Sequence, residues 1–197
     1  MNLDRVVLAT KNPDKRAELA DVLAGIEGIG PVVEGLGWPD VAETEPTLEG
    51  NALLKARAVV AATGVAAIAD DTGLEVEALG GAPGVHTARY AGPDATYSDN
   101  VVALLAALEG IDDRRARFRT AVAVVTPAGE ELVVEGKLEG IITHVPRGEG
   151  GFGYDPVFDV DGRTLAELEP EEKHAISHRG RALRALAAAL AQSAGSG

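Results

Sequence analysis

"AAIADDTGLEVEALGGAPG", residues 66–84, begins with small and apolar residues and ends its first run on two adjacent aspartates, Asp70 and Asp71. A short apolar run of this kind reads as a buried strand. The polar step at Thr72-Gly73 predicts a turn, and "GLEVEAL" then alternates like a further strand. A carboxylate loses much of its hydration near a core and is rarely placed there without a partner. Asp and Gly are also ordinary turn residues. Two readings stay open on this stretch alone: a plain turn, or a metal or acid/base site at a strand end.

The flanking sequence gives the fold class. Upstream, "TLEGNALLKARAVVAATG" (47–64) predicts a helix with Ala52, Leu53, Ala56, Val59 and Val60 along one face. Before it, "RVVLAT" (5–10) reads as a short buried strand and "PVVEGL" (31–36) as a second candidate. Between them Asn12 suits an N-cap, Pro13 a first helical position and Gly25 a stop. Downstream, "YSDNVVALLAALEG" (97–110) predicts a helix closed by glycine. Residues 116–145 predict two or three antiparallel strands turning at 127–129. A last helix is expected over 177–192 with Ser177 as its cap, followed by a frayed tail, "SAGSG" (193–197). Helix-separated strands mixed with hairpin strands predict an α/β fold built on a mixed sheet flanked by helices. The 197 residues fit one domain, 1–192, with room for two lobes around one core.

Composition narrows the function classes. The chain has no cysteine, which leaves no disulfide framework and no thiolate chemistry. No apolar run approaches membrane-spanning length, and "MNLDRVVLATKNPDK" lacks the layout of a signal peptide, so a cytoplasmic protein is expected. A formal net charge of -13 opposes broad binding to a nucleic acid backbone. It does not oppose a small anionic ligand where cations are gathered. The lysines are few: Lys11, Lys15, Lys55, Lys137 and Lys173.

Several segments carry candidate chemistry. "LATKNPDK" puts Thr10, Lys11, Asn12 and Lys15 in a polar turn at a helix N-terminus, where backbone N–H groups favour phosphate. A plain capped helix accounts for the same residues. "ETEP" (43–46) places acids ahead of the 47–64 helix, which carries Lys55. "GEGGFG" (148–153) matches G-x-G-x-x-G, but Pro156 opposes the helix that a dinucleotide fingerprint needs. In the adjoining "GGFGYDP", Phe152 and Tyr154 read as a stacking surface in a glycine-rich loop, since aromatic residues are scarce in this chain. "EEKHAISHRG" (171–180) gathers Lys173, His174, His178 and Arg179. Neither a cysteine nor a close His-x-x-x-His pair accompanies them, which argues against zinc.

Taken in order, "LATKNPDK", "AIADDTGLEVEALGGAPGVHTARYAG", "GGFGYDPVF" and "EKHAISHRGRAL" resemble the inosine/xanthosine triphosphate pyrophosphatases, from about Val6 to Leu190. The resemblance implies hydrolysis of non-standard purine nucleoside triphosphates to the monophosphate and pyrophosphate, with magnesium. It implies an elongated α/β domain of two lobes around a long central sheet, and a homodimer. It places Asp71 as proton acceptor and metal ligand and Glu43 as the other acidic ligand. Thr10, Lys11, Asn12, Lys15, Lys55 and Thr72 would meet the triphosphate. Phe152, Gly153, Tyr154 and Asp155 would line the base and sugar pocket, and Lys173, His178 and Arg179 would read the base. Two positions depart from the pattern: Gly50 stands where many relatives carry an acid, and Lys11 stands where glycine is common. The chemistry agrees with the resemblance. Magnesium takes hard oxygen ligands, and a carboxylate beside it can accept a proton from water. Asp70 and Asp71 are successive strand residues, so their side chains are expected on opposite faces. Two other classes fit parts of the pattern. One is a pyrophosphatase of related fold acting on other modified nucleotides. The other is a nucleotide-binding module without turnover. The "ISHRG" block argues against the first, and the retained acids argue against the second.

Overall fold

The opening strand, turn and helix form as their residues dictate. In a computed structural model that describes residues 1–194, with side chains through Gln192, β1 spans Val6–Leu8 and α1 spans Pro13–Leu23. The Asn12 side chain accepts the N–H groups of Asp14 and Lys15, and Pro13 needs no partner for a donor it lacks. Helix α2, Leu48–Thr63, starts on a Thr47 cap and stops at Gly64, whose φ of 66° is the left-handed conformation glycine adopts without strain. Helix α3, Tyr97–Ala107, begins with a reciprocal cap between Thr96 and Asp99.

Strand β2 is the principal correction to the sequence reading. It runs unbroken over Ala66–Val76, so no turn forms at Thr72-Gly73. The neighbouring ladders override the local turn propensity. Residues 66–68 pair in parallel with β1, and Leu74 and Glu75 pair antiparallel with β3, Pro83–Gly84. A short 3-10 turn at Glu77–Leu79 reverses the chain instead. The second candidate strand, 31–36, is reduced to one bridge between Val32 and Val6. Pro31 offers no N–H, and Gly35 turns the chain at φ 76°.

Strands β4, Arg115–Val125, and β5, Glu131–Ile142, are neighbours joined by a tight turn in which the Thr126 N–H reaches the Glu130 carbonyl at 3.0 Å. The stretch after the glycine-rich loop holds β6 (Phe158–Val160), β7 (Arg163–Thr164) and the short helix α4 (Pro170–Ile176). Helix α5 follows over His178–Ala194, so its backbone runs two residues into the expected tail. The rest of that tail, residues 195–197, lies outside the described residues. The mixed sheet has the order β1-β2-β4-β5-β6-β7, with β3 beside β2.

The chain divides into two compact units. Of the described residues, the first comprises Met1–Asp71, Thr120–Gly136 and the chain from Arg179 to the end of α5; the second comprises Thr72–Arg119 and Lys137–His178. Each has its own core. In the first, Val6, Leu8, Leu19, Ile68, Val122, Leu183 and Leu186 pack together. In the second, Leu74, Leu104, Phe118, Leu138, Tyr154 and Phe158 do so. Each fully buried Leu or Phe contributes about 1.5–3 kcal/mol relative to exposure. Arg114, buried in the second unit, donates to the carbonyls of Leu108, Ile142 and Thr143 at 3.1, 2.6 and 2.8 Å. Those bonds tie the end of α3 to the end of β5.

Candidate active site

The two aspartates of β2 separate as a pleated strand requires. Asp71 Oδ1 accepts from Lys55 Nζ at 2.8 Å, and the same ammonium donates to Glu43 Oε1 at 2.8 Å. Asn51 Nδ2 lies 3.3 Å from Asp71 Oδ2. Helix α2 sets this up, because residues four apart share a helix face and Asn51 lies one turn before Lys55. Glu43 arrives from the loop ahead of α2, which Asn51 also fixes by accepting the Glu45 N–H at 3.0 Å. Asp70 meets other partners. Its Oδ2 lies 3.3 Å from Lys15 Nζ and 3.4 Å from both Nε and Nη2 of Arg179. Arg179 Nη1 donates in turn to Glu18.

Burial and charge tune the two acids in opposite directions. Burial pushes the Asp70 carboxyl up, but the charges of Lys15, Arg179 and Lys55 outweigh it and hold it well below the usual carboxylate range. Burial also pushes Asp71 up; Lys55 and Lys15 oppose it, Glu43 reinforces it, and the result is a raised pKa. Lys55 is pulled down by its own burial and raised further by Asp71, Asp70 and Glu43, so it stays charged. The arrangement pairs a strongly ionised acid with a more basic one on adjacent residues.

The opening turn is only partly as expected. Thr10 and Asn12 point their side-chain oxygens at the turn itself: Thr10 Oγ1 accepts the Asn12 N–H at 3.2 Å, and Asn12 caps α1. Lys15 lies against Asp70, while Lys11 pairs with Asp40 on the surface. Glu45 occupies the space beside Gly50, where a Cβ would meet Glu45 Cβ at 2.7 Å. An acid at position 50 has no room here.

In the second unit, Thr72 continues β2 and is half-buried. The loop around Phe152 is built on glycine. Gly151 and Gly153 have φ of 69° and 63°, and a Cβ on Gly151 would fall 2.1 Å from Asp155 Oδ2. That oxygen accepts the Phe152 N–H at 2.8 Å and Lys173 Nζ at 2.7 Å. The Lys173 ammonium also lies 5.0 Å from the centre of the Phe152 ring. His178 stacks on Phe118 with ring centres 4.4 Å apart. Tyr154 corrects the sequence reading. Its ring is buried in the core rather than offered for stacking, and its hydroxyl donates to the Thr87 carbonyl at 3.0 Å. A large aromatic next to a short strand fills the core once its one polar atom is satisfied.

The structure thus brings Glu43, Lys55 and Asp71 together, Lys15 and Arg179 around Asp70, and Phe152, Asp155 and Lys173 around one carboxylate oxygen. Sequence reasoning missed Asn51 and Glu18. Helical spacing was the signal available, since Asn51 lies four residues before Lys55 and Glu18 three after Lys15. Two carboxylates meeting at one ammonium fit magnesium, which uses one or two protein carboxylates and leaves other positions to water and phosphate. Among the described residues no group of three or more His, Cys, Asp or Glu could hold a metal by itself.

Comparison with known proteins matches most of the chain. The model of the Ham1 family matches residues 6–189. A dITP/XTP pyrophosphatase of Symbiobacterium thermophilum is 50% identical over 191 residues, 93% of each chain. One of Mycobacteroides abscessus is 49% identical over 190 residues, 92% of each. The solved structure of a HAM1 protein from Coxiella burnetii superposes with a TM-score of 0.85 at 43% identity, covering 95% of this chain and 98% of that one. With residues 6–189 matched by the family model and its fold matched over nearly the whole length, this chain belongs to the Ham1 family.

Proposed function

We propose that this protein hydrolyses non-standard purine nucleoside triphosphates, those of inosine, deoxyinosine and xanthosine, to the monophosphate and pyrophosphate. The observation that carries the reading is the convergence of Glu43 and Asp71 on Lys55, 2.8 Å from each. The names of the relatives, dITP/XTP pyrophosphatases, support the substrate class. In this reading a water oxygen attacks the α-phosphorus and its proton passes to Asp71. The bond from that phosphorus to the β-phosphate bridging oxygen breaks, and its electron pair leaves with pyrophosphate. The raised pKa of Asp71 makes it the better proton acceptor of the two aspartates. Lys55 and Lys15 place positive charge where negative charge develops. Glu43 and Asp71 would hold magnesium, which when bound neutralises charge on the triphosphate.

The remaining residues take the roles the resemblance gives them. Thr10 to Lys15 and Thr72 serve the phosphates, with Lys11 drawn from Asp40 as its exposure permits. Phe152, Gly153 and Asp155 serve the base and sugar, Tyr154 acting through its place in the core. Lys173, His178 and Arg179 serve base recognition. Lysine and arginine are donors only, which suits the 6-carbonyl of hypoxanthine and xanthine and leaves a donor unmatched against the 6-amino group of adenine. The substrate belongs to the cytoplasmic nucleotide pool.

The test is a product assay with magnesium across inosine, xanthosine, guanosine and adenosine triphosphates, resolved by ion exchange. Inosine triphosphate is expected to give monophosphate and pyrophosphate. Diphosphate with orthophosphate would move the cleavage position, and adenosine triphosphate turned over as well as inosine triphosphate would overturn the substrate class. The protein is also expected to be a homodimer, so light scattering should return twice the chain mass. A monomer at micromolar concentration would refute that.

A further inference from the structure

We propose that Tyr97 is a positioning residue for the purine, holding the Phe152 ring where the base stacks on it. The inference rests on the reading of Phe152 as a base-stacking residue. Phe152 lies between glycines, and Gly151 and Gly153 occupy the left-handed region. Such a segment restricts its own conformations poorly, so the ring must be placed from outside. Contacts from other elements place it. The Phe152 N–H donates to Asp155 Oδ2 at 2.8 Å, which fixes the backbone. The Lys173 ammonium lies 5.0 Å from the ring centre. The Tyr97 ring lies 5.8 Å from it, centre to centre, tilted by 37°, within the range where aromatic pairs attract beyond their buried area.

Tyr97 is a firm support. It is the first residue of α3. That helix start is held by the Asp99 N–H on Thr96 Oγ1 at 3.1 Å and the Thr96 N–H on Asp99 Oδ2 at 2.9 Å. Asn100, one turn on, accepts the Ala91 N–H at 2.9 Å and donates to the Ala88 carbonyl at 3.0 Å. A rigid helix start therefore carries one ring and a glycine loop the other. Tyr97 remains 42% exposed, and Phe152 is half-buried, so the pair is a surface feature rather than core filling. Stacking accepts any base, because every base has a π-face. Tyr97 therefore governs affinity for purine nucleotides as a class and leaves discrimination among them to groups that meet the base edge.

The experiment compares wild type, Tyr97→Ala, Tyr97→Phe and Phe152→Ala in steady-state kinetics. Tyr97→Ala is expected to raise KM for inosine and xanthosine triphosphates alike by ~3- to 10-fold with kcat unchanged, the scale of a lost aromatic pair. Tyr97→Phe should restore the wild-type KM. Inhibition by inorganic tripolyphosphate, which has no base, should be equal in wild type and Tyr97→Ala. Equal weakening of tripolyphosphate and nucleotide would overturn the proposal, because the defect would then be general. An unchanged KM in Tyr97→Ala with a raised KM in Phe152→Ala would overturn it while leaving the stacking reading intact. An unchanged KM in Phe152→Ala would overturn both.

Discussion

Asp71→Asn is expected to lower kcat for inosine triphosphate by about two to four orders of magnitude, the range for loss of a general base. The substitution is nearly isosteric, and its amide oxygen can still accept from Lys55. Lys55 keeps a charged partner in Glu43 at 2.8 Å, so the fold is expected to survive. The carboxylate charge is lost, and with it the basicity and one of the two anionic ligands proposed for magnesium. The pH profile of the wild type follows from the same environment. Because burial, aided by Glu43, raises Asp71 against the pull of Lys55 and Lys15, turnover should fall on acidification at a higher pH than an ordinary aspartate would give. Stopped assays at saturating substrate, with circular dichroism as a control, check both. A loss below tenfold with an unchanged spectrum would remove Asp71 from the role.

Asp70→Asn is expected to act on stability first. The Asp70 side chain is fully buried and faces Lys15 and Arg179, whose side chains are 20% and 4% exposed. Removing the charge leaves a buried guanidinium beside a neutral amide, and breaking such a pair costs about 3–5 kcal/mol. Glu18 still engages Arg179, and Lys15 is partly hydrated, so the lower end, about 3 kcal/mol, is expected. Urea unfolding measures it, and the loss of turnover should be smaller than for Asp71→Asn. The acid dependence has a definite sign. The folded pKa of Asp70 is depressed, so its contribution is present above the ordinary carboxylate value of 3.8 and is lost as pH falls through the folded one. Asp70→Asn should therefore flatten the fall in stability below about pH 4. An equally steep fall in the variant would assign that stability to other groups.

The local signals in the sequence were those a few neighbouring residues can carry. Asn12 with Pro13 was readable because capping is settled within one turn. The turn at Thr72-Gly73 was misread because its residues favour turns locally, while pairing with β1 and β3 keeps β2 extended. Tyr154 was misread because scarcity in a loop says nothing of what lies above it, and the Thr87 carbonyl that satisfies it is distant in sequence. Strands β6 and β7 are two or three residues long, too short for periodicity to show. Lys15, Lys55, Glu43 and Asp71 were identified by resemblance, but their partners came from geometry. Only the structure shows that Lys55 bridges Glu43 and Asp71, or that Arg179 answers to Asp70 and Glu18.

The unbroken course of β2 makes the identity of the proposed base a matter of parity. Asp70 and Asp71 are the same letter twice, and nothing in their own chemistry distinguishes them. An extended chain turns successive side chains to opposite faces, so odd or even count from Ala66 assigns one acid to Lys15 and Arg179 and the other to Lys55 and Asn51. Slipping the strand forward by one residue would carry Asp70 to the Lys55 side and bring Ala69 before Arg179. The doubled acid would still furnish a carboxylate where water is to be activated, and the guanidinium would have lost its anion. Redundancy in the sequence thus shields the proposed catalytic position from a register error and leaves the anion that faces Lys15 and Arg179 exposed to it.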